Sequence, residues 1–262
     1  MRKQPVLWAV LFAALIFTSL LAESVPVRYT SGLLHGFLVL RNQNGDALAD
    51  GDVTQVAHGA QITSHLTLRF RDGSLNEETV VFYQQKSFQL ISDHLVQKGP
   101  SFPHPMDVLI TKATGQVTVH YIEDGKEKTI NERMTLPPDV ANGLSLILLQ
   151  NIQPKTPKTT VSMVATTPKP RLVKLVITPD GEESFAVGKA KHTATHYVIK
   201  VDIGGVAGAV APVVGKQPPN LHVWIDGEEG APVFLRMEGP LFNEGPIWRI
   251  EMASPTWPQA GK

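Results

Sequence analysis

The chain has 262 residues and no cysteine. It therefore has no disulfide, no thiol chemistry and no site for a lipoprotein's acyl anchor. Charge of one sign is also missing: 24 Lys and Arg balance 24 Asp and Glu. No Lys/Arg stripe stands out, so nucleic-acid binding has no electrostatic footing. Past the N-terminus, no apolar run is long enough to span a bilayer as a helix. Catalytic signatures are absent too. There is no HExxH zinc motif and no GxSxG nucleophile elbow. Gly208 and Gly215-Lys216 enclose six residues where a phosphate loop needs four, and Gln217 follows in place of Ser or Thr. No enzymatic activity and no cofactor are expected.

The first segment, MRKQPVLWAVLFAALIFTSLLAES, is informative. Arg2 and Lys3 precede an apolar run from Val6 to Ala22, and Ala22-Glu23-Ser24 places small residues where a signal peptidase reads. Residues 1–24 are read as a secretory signal, with an uncleaved anchor as the alternative. A cysteine-free exported domain fits a bacterium better than a eukaryotic secretory pathway. The expected location is periplasmic or secreted. The remainder, 25–262, is read as one domain, long enough to bury roughly 70% of its unfolded surface.

Turn dipeptides punctuate this remainder: Asn44-Gly45, Asp50-Gly51, Asp72-Gly73, Asp124-Gly125, Asp180-Gly181 and Asp226-Gly227. Each is read as a hairpin turn, because Asn, Asp and Gly tolerate the positive φ such turns need. Between them apolar and polar residues alternate. In ITSHLTLRF, Ile62, Leu66, Leu68 and Phe70 share one face. In THYVIKVDI, Tyr197, Ile199, Val201 and Ile203 share one face and His196, Lys200 and Asp202 the other. VTVHY, RLVKLVI, LHVWI, VFLRM and IWRIEM read as further strands, and so does VSMVA within a Pro-, Lys- and Thr-rich stretch. The expectation is a mainly β fold: an antiparallel curved sheet or open barrel of about ten to twelve strands.

One helix is expected in LPPDVANGLSLILLQNI. Its prolines suit a first turn, and it is apolar nearly all round, so it must be buried. The simplest place for it is inside or against the curved sheet, as a plug.

The segments FQLISDHLVQKGPSFPHPMDVLI, LPPDVANGLSLILLQNI, GGVAGAVAPVVGKQPPNLHVWIDG and GPIWRIEMASP together resemble an uncharacterised family of exported bacterial proteins. The order of strands, plug helix and final Trp-bearing strand is also similar in architecture to the open β-barrels of the lipoprotein carriers LolA and LolB. That likeness implies a curved sheet around a helix, with a cavity for acyl chains. It implies no catalytic residues.

Four candidate features remain. Asp93, His94, His104 and Asp107 lie close together, but neighbours on a strand point to opposite faces, so Asp93 and His94 cannot hold one ion. His94 is placed with Phe88, Leu90 and Val96, facing inward. A stiff Pro-rich loop around His104 is the better reading than a zinc site, which wants three protein ligands. His192 and His196 fall on a polar face and are expected in solvent. Gly204 to Gly215 is small and apolar, either a flap over a cavity or a buried crossing segment. Trp224, Trp248 and Trp257 cluster late in the chain. If there is a ligand cavity, Leu144, Leu148, Val210, Val214, Trp224 and Trp248 are its expected lining.

The expectation is thus an exported, non-catalytic protein that binds or carries an apolar small molecule or lipid. It touches the membrane only through its signal peptide or transiently. The alternatives are a structural or interaction module of the cell envelope, with a protein partner, and a hydrolase.

Overall fold

A computed structural model describes residues 24–123, 125–166, 169–187, 190–204, 217–227 and 231–253, without the side chains of 186, 187 and 190–192. The signal segment up to residue 23, Val210, Val214, Trp257 and the side chain of His192 lie outside the described residues.

The strands are β1 (Leu34–Arg41), β2 (Ala47–His58), β3 (Gln61–Phe70), β4 (Leu75–Gln84), β5 (Phe88–Lys98), β6 (Met106–Thr111), β7 (Gln116–Glu123) and β8 (Lys126–Arg133). The helix α1 (Ser145–Leu149) follows, then β9 (Thr159–Ala165), β10 (Arg171–Val187), β11 (Ala190–Asp202), β12 (Leu221–Asp226), β13 (Val233–Gly239) and β14 (Trp248–Met252). All fourteen belong to one sheet, in the order β8 to β1, then β14 back to β9. Every pairing is antiparallel, and every strand pairs with its neighbour in sequence except at the seam of β1 with β14. Two meanders are thus stitched along β1 and β14, and the sheet stays open between β8 and β9. The fold is the mainly β, curved open sheet that the alternation predicts, with more strands than the ten to twelve counted.

The chain from β8 to β9 fills the inside. Met134 N–H donates to Gly115 C=O at one edge (2.8 Å). At the other edge Ala141 N–H donates to Ser162 C=O (2.9 Å), and Ser162 N–H donates back to Asp139 C=O (3.1 Å). The plug therefore covers the unpaired edge of β9, which would otherwise be open to association. Buried side chains of Asp139 and Asn142 complete the latch. The Ser162 hydroxyl donates to Asp139, Lys174 Nζ donates to the Ser162 oxygen (2.7 Å), and Asn142 bonds both the N–H and the C=O of Val164. The helix is shorter than the sequence suggests. Asn142 is held by the sheet and Gly143 has φ +65°, so regular helix begins only after them.

Leu144, Ile147, Leu148 and Leu149 pack into one core with Leu40, Ile62, Leu68, Phe82, Ile110 and Ile177. One end of the sheet is sealed by rings. Phe102, from the loop between β5 and β6, packs edge-on to Phe70 (5.4 Å between centroids), Phe242 (5.6 Å) and Trp248 (6.1 Å). Gln97 Nε2 ties this closed end to the other capping loop by donating to Leu241 C=O (2.9 Å). The opposite end holds the β2–β3, β4–β5 and β6–β7 hairpins, and here it is called the mouth.

Two of the expected hairpin turns are not turns. Asp50-Gly51 lies inside β2, where a side chain on Gly51 would strike the Thr67 carbonyl and Leu68. The glycine there serves close strand approach. Asp180-Gly181 forms an irregularity within β10, between Pro179 and Glu182. A second irregularity, in β5 opposite Val81 and Phe82, corrects the placing of His94. Ile91 is the extra residue, so the inward face changes from Phe88 and Leu90 to Asp93 and Gln97. His94 is exposed and shares a hydrogen bond with Asp107 (2.9 Å).

Candidate functional site: the mouth cleft

Of the expected cavity lining, Leu144 and Leu148 are in the core, and Trp248 is in the ring cluster at the closed end. Trp224 is on the other face of the sheet, because Val223 and Ile225 on either side of it take the inner face. These four do not meet in one cavity.

A cleft of about 270 Å³ opens at the mouth instead, where the plug leaves the sheet. Its floor is Leu149, Ile152 and Ile225, and its walls include Tyr29, Pro154, Thr195 and Pro232, with Arg28 among the lining residues. Asn151 organises it. The buried Asn151 Oδ1 accepts from the N–H groups of Arg28 and Tyr29 (2.8 Å each), while its Nδ2 donates to Ile147 C=O (2.9 Å). One side chain thus fastens the N-terminal segment to the plug. The Tyr197 hydroxyl donates to Ile152 C=O (3.0 Å), and burial pushes its pKa up to about 12. It stays a neutral donor. The sequence marks Tyr197 as one face of a strand and Leu149 and Ile152 as part of an apolar helix, but none of these residues as a site. The available signal was Asn151, a polar residue ending a run of leucines.

Inside the sheet, under Gly143, are two carboxyls. Burial raises Glu78 to about 7. Burial first, and the charge of Glu78 second, hold Asp93 well above the usual carboxylate range. Asp93 is 3% exposed, and its Oδ1 has no hydrogen-bond partner.

On the outer face the expectation for His196 is overturned. It is 7% exposed, stacked on Trp224 (4.6 Å, 10° between planes) and on His222 (5.2 Å, 18°). Its Nε2 shares a hydrogen bond with His222 Nδ1 (3.0 Å). The alternation correctly put it opposite Tyr197, but the outer face is covered here. The irregularity at Pro179 to Glu182 brings Asp180 and Glu183 to 3.5 and 3.7 Å from its Nδ1. Arg236 lies over Phe185 (4.7 Å) and Trp224 (5.5 Å). Burial, then His222, lower the His196 pKa, against the opposing pull of Glu183, Asp180 and Glu238.

Among the described residues, no group of three or more His, Asp or Glu side chains is arranged to hold a metal ion. His104 is exposed on its loop. The Ser162 and Lys174 pair has the contacts of a Ser–Lys dyad, but the hydroxyl is buried and gives its proton to Asp139. It acts as the plug's latch.

No family model matches the chain, and no curated protein matches it. A solved structure is similar: a β-barrel-like protein of a domain of unknown function, DUF1849, from Brucella abortus. The TM-score is 0.41 at 8% identity, over 86% of this chain and 100% of that one.

Proposed function

We propose that this is an exported, non-catalytic binding protein whose site is the mouth cleft. The ligand is a small amphipathic molecule, such as a lipid or acyl fragment. The observation that carries this reading is the cleft's chemistry: an apolar floor of Leu149, Ile152 and Ile225 with Arg28 among the lining residues. Ligand sites commonly pair an apolar lining with a few placed polar groups. The volume of about 270 Å³ is just under the usual range of roughly 300–1,000 Å³, so the cleft suits a short ligand or one end of a longer one. The core packing of Leu144 and Leu148 favours this site over one deep in the barrel.

Thr195 is half-buried in the cleft wall. Titration with a fluorescent short-chain fatty acid should show saturable binding to the wild type and at least tenfold weaker binding to Thr195→Trp, which fills the cleft. Equal binding by both would refute the site.

A second reading is an envelope interaction module without a small ligand. The plug-filled interior favours it. Absence of saturable binding in the same titration would decide for it.

A further inference from the structure

We infer that β8 is a dimerisation edge, along which a second copy of this chain adds its own β8, antiparallel, about a two-fold axis at Ile130. This is independent of the mouth cleft and holds whether or not the cleft takes a ligand.

The open sheet has two edges, and they are treated differently. The plug covers β9 through Ala141 and Ser162 and through Asn142 and Val164. β8 is paired on one side only, with β7, in a register that runs without irregularity from Gln116↔Arg133 to Glu123↔Lys126. Every residue of β8 except Ile130 is exposed. The direction of its unpaired backbone groups follows from the end of the ladder, where Met134 N–H donates to Gly115 C=O on the β7 side (2.8 Å). The backbone groups of successive strand residues point to opposite sides. The N–H and C=O of Glu127, Thr129, Asn131 and Arg133 therefore point away from β7. They form a regular row that another strand can pair with.

Charge names the occupant. Lys, Glu and Arg on an edge strand ordinarily guard it against association. In KEKTINER, however, the charges complement a second copy of the same strand. With Ile130 opposite Ile130 of the second copy, Glu127 stands opposite Arg133, Lys128 opposite Glu132 and Thr129 opposite Asn131. Opposite charges across a strand pair are favourable, and like charges are not. Moving the second strand by two residues sets either Lys128 or Glu132 opposite Ile130, and in both cases separates Glu127 from Arg133. The backbone agrees with the charges. The outward-pointing residues pair with one another, and Ile130 falls at a non-hydrogen-bonded position, where facing side chains come closest. Ile130 pairs with the buried Val119 and packs against the core, so the two isoleucines meet on the inner face. A two-fold contact of this kind is closed, and with β9 covered the sheet does not extend further.

The test is sedimentation velocity of the purified protein over a range of concentrations, after its N-terminus has been sequenced. Wild type should show a monomer–dimer equilibrium. Glu127→Arg and Arg133→Glu should each weaken dimerisation at least tenfold. Glu127 and Arg133 are roughly 20 Å apart along one strand, so they cannot meet within a chain. Mixing the two variants, or combining both changes in one chain, should therefore restore the dimer, which a misfolded variant would not do. The chain has no cysteine. Ile130→Cys should form a covalent dimer on mild oxidation at least tenfold faster than Val56→Cys, an exposed position on β2. A wild type that is monomeric at every concentration would overturn the inference. So would single charge variants that dimerise like wild type, a mixture that stays monomeric, or equal crosslinking at positions 130 and 56.

Discussion

Asp93 and Glu78 reach the same point beneath the plug from adjacent strands: a β-carbon on Gly143 would stand 3.2 Å from Asp93 Oδ1 and 3.3 Å from Glu78 Oε1. Burial holds both carboxyls protonated above the usual range, and the charge of Glu78 adds to the effect on Asp93.

This pair gives the protein a pH dependence whose sign is fixed. Between pH 4.5 and about 7 the unfolded chain releases the Glu78 proton and the folded protein keeps it. The resulting stabilisation is full below pH 4.5 and is lost as pH rises to about 7. Glu78→Gln should flatten this limb, by on the order of 1–3 kcal/mol across the window. Urea unfolding at a series of pH values reads it directly. An unchanged slope in the variant would exclude Glu78 as the source.

His196 acts in the opposite direction. Its folded pKa is below the ordinary 6.5, so the unfolded chain takes up a proton first as the medium is acidified. Its contribution is present above pH 6.5 and is lost as pH falls through the folded value. His196→Phe keeps a ring against Trp224 and should remove this acid limb, leaving the Glu78 limb intact. Titration of the His196 ring by NMR should give a midpoint below that of an exposed histidine.

Leu148 tests the plug. It is buried in the core, and Leu148→Ala should cost about 2–5 kcal/mol in chemical denaturation. Leu148→Asp should prevent folding, because it would bury an unpaired charge. A folded, stable Leu148→Asp protein would mean that the helix does not fill the sheet.

Much of this fold is legible in the sequence. The alternation in ITSHLTLRF puts Ile62, Leu66, Leu68 and Phe70 on the side that becomes the core, and the leucines of LSLILLQNI announce burial. Two features escape a reading by period. The extra residue at Ile91 reverses the faces after it, so His94 turns outward and Asp93 inward. A strict alternation has no means of locating such a residue, since it depends on the partner strand. His196 looks solvent-facing because its neighbours alternate correctly. Its burial comes from β10, whose irregularity at Pro179 brings distant residues over the outer face. The cleft was illegible for a similar reason: Arg28, Asn151 and Thr195 meet only through the plug's path back to the mouth.

The most direct test of the mouth-cleft account is native mass spectrometry of the protein as purified, beside Thr195→Trp. The account predicts that the wild type carries an added mass of a small amphipathic molecule and that the variant, still folded, loses it. A wild type with no bound mass, or a bound mass retained in full by Thr195→Trp, would contradict it.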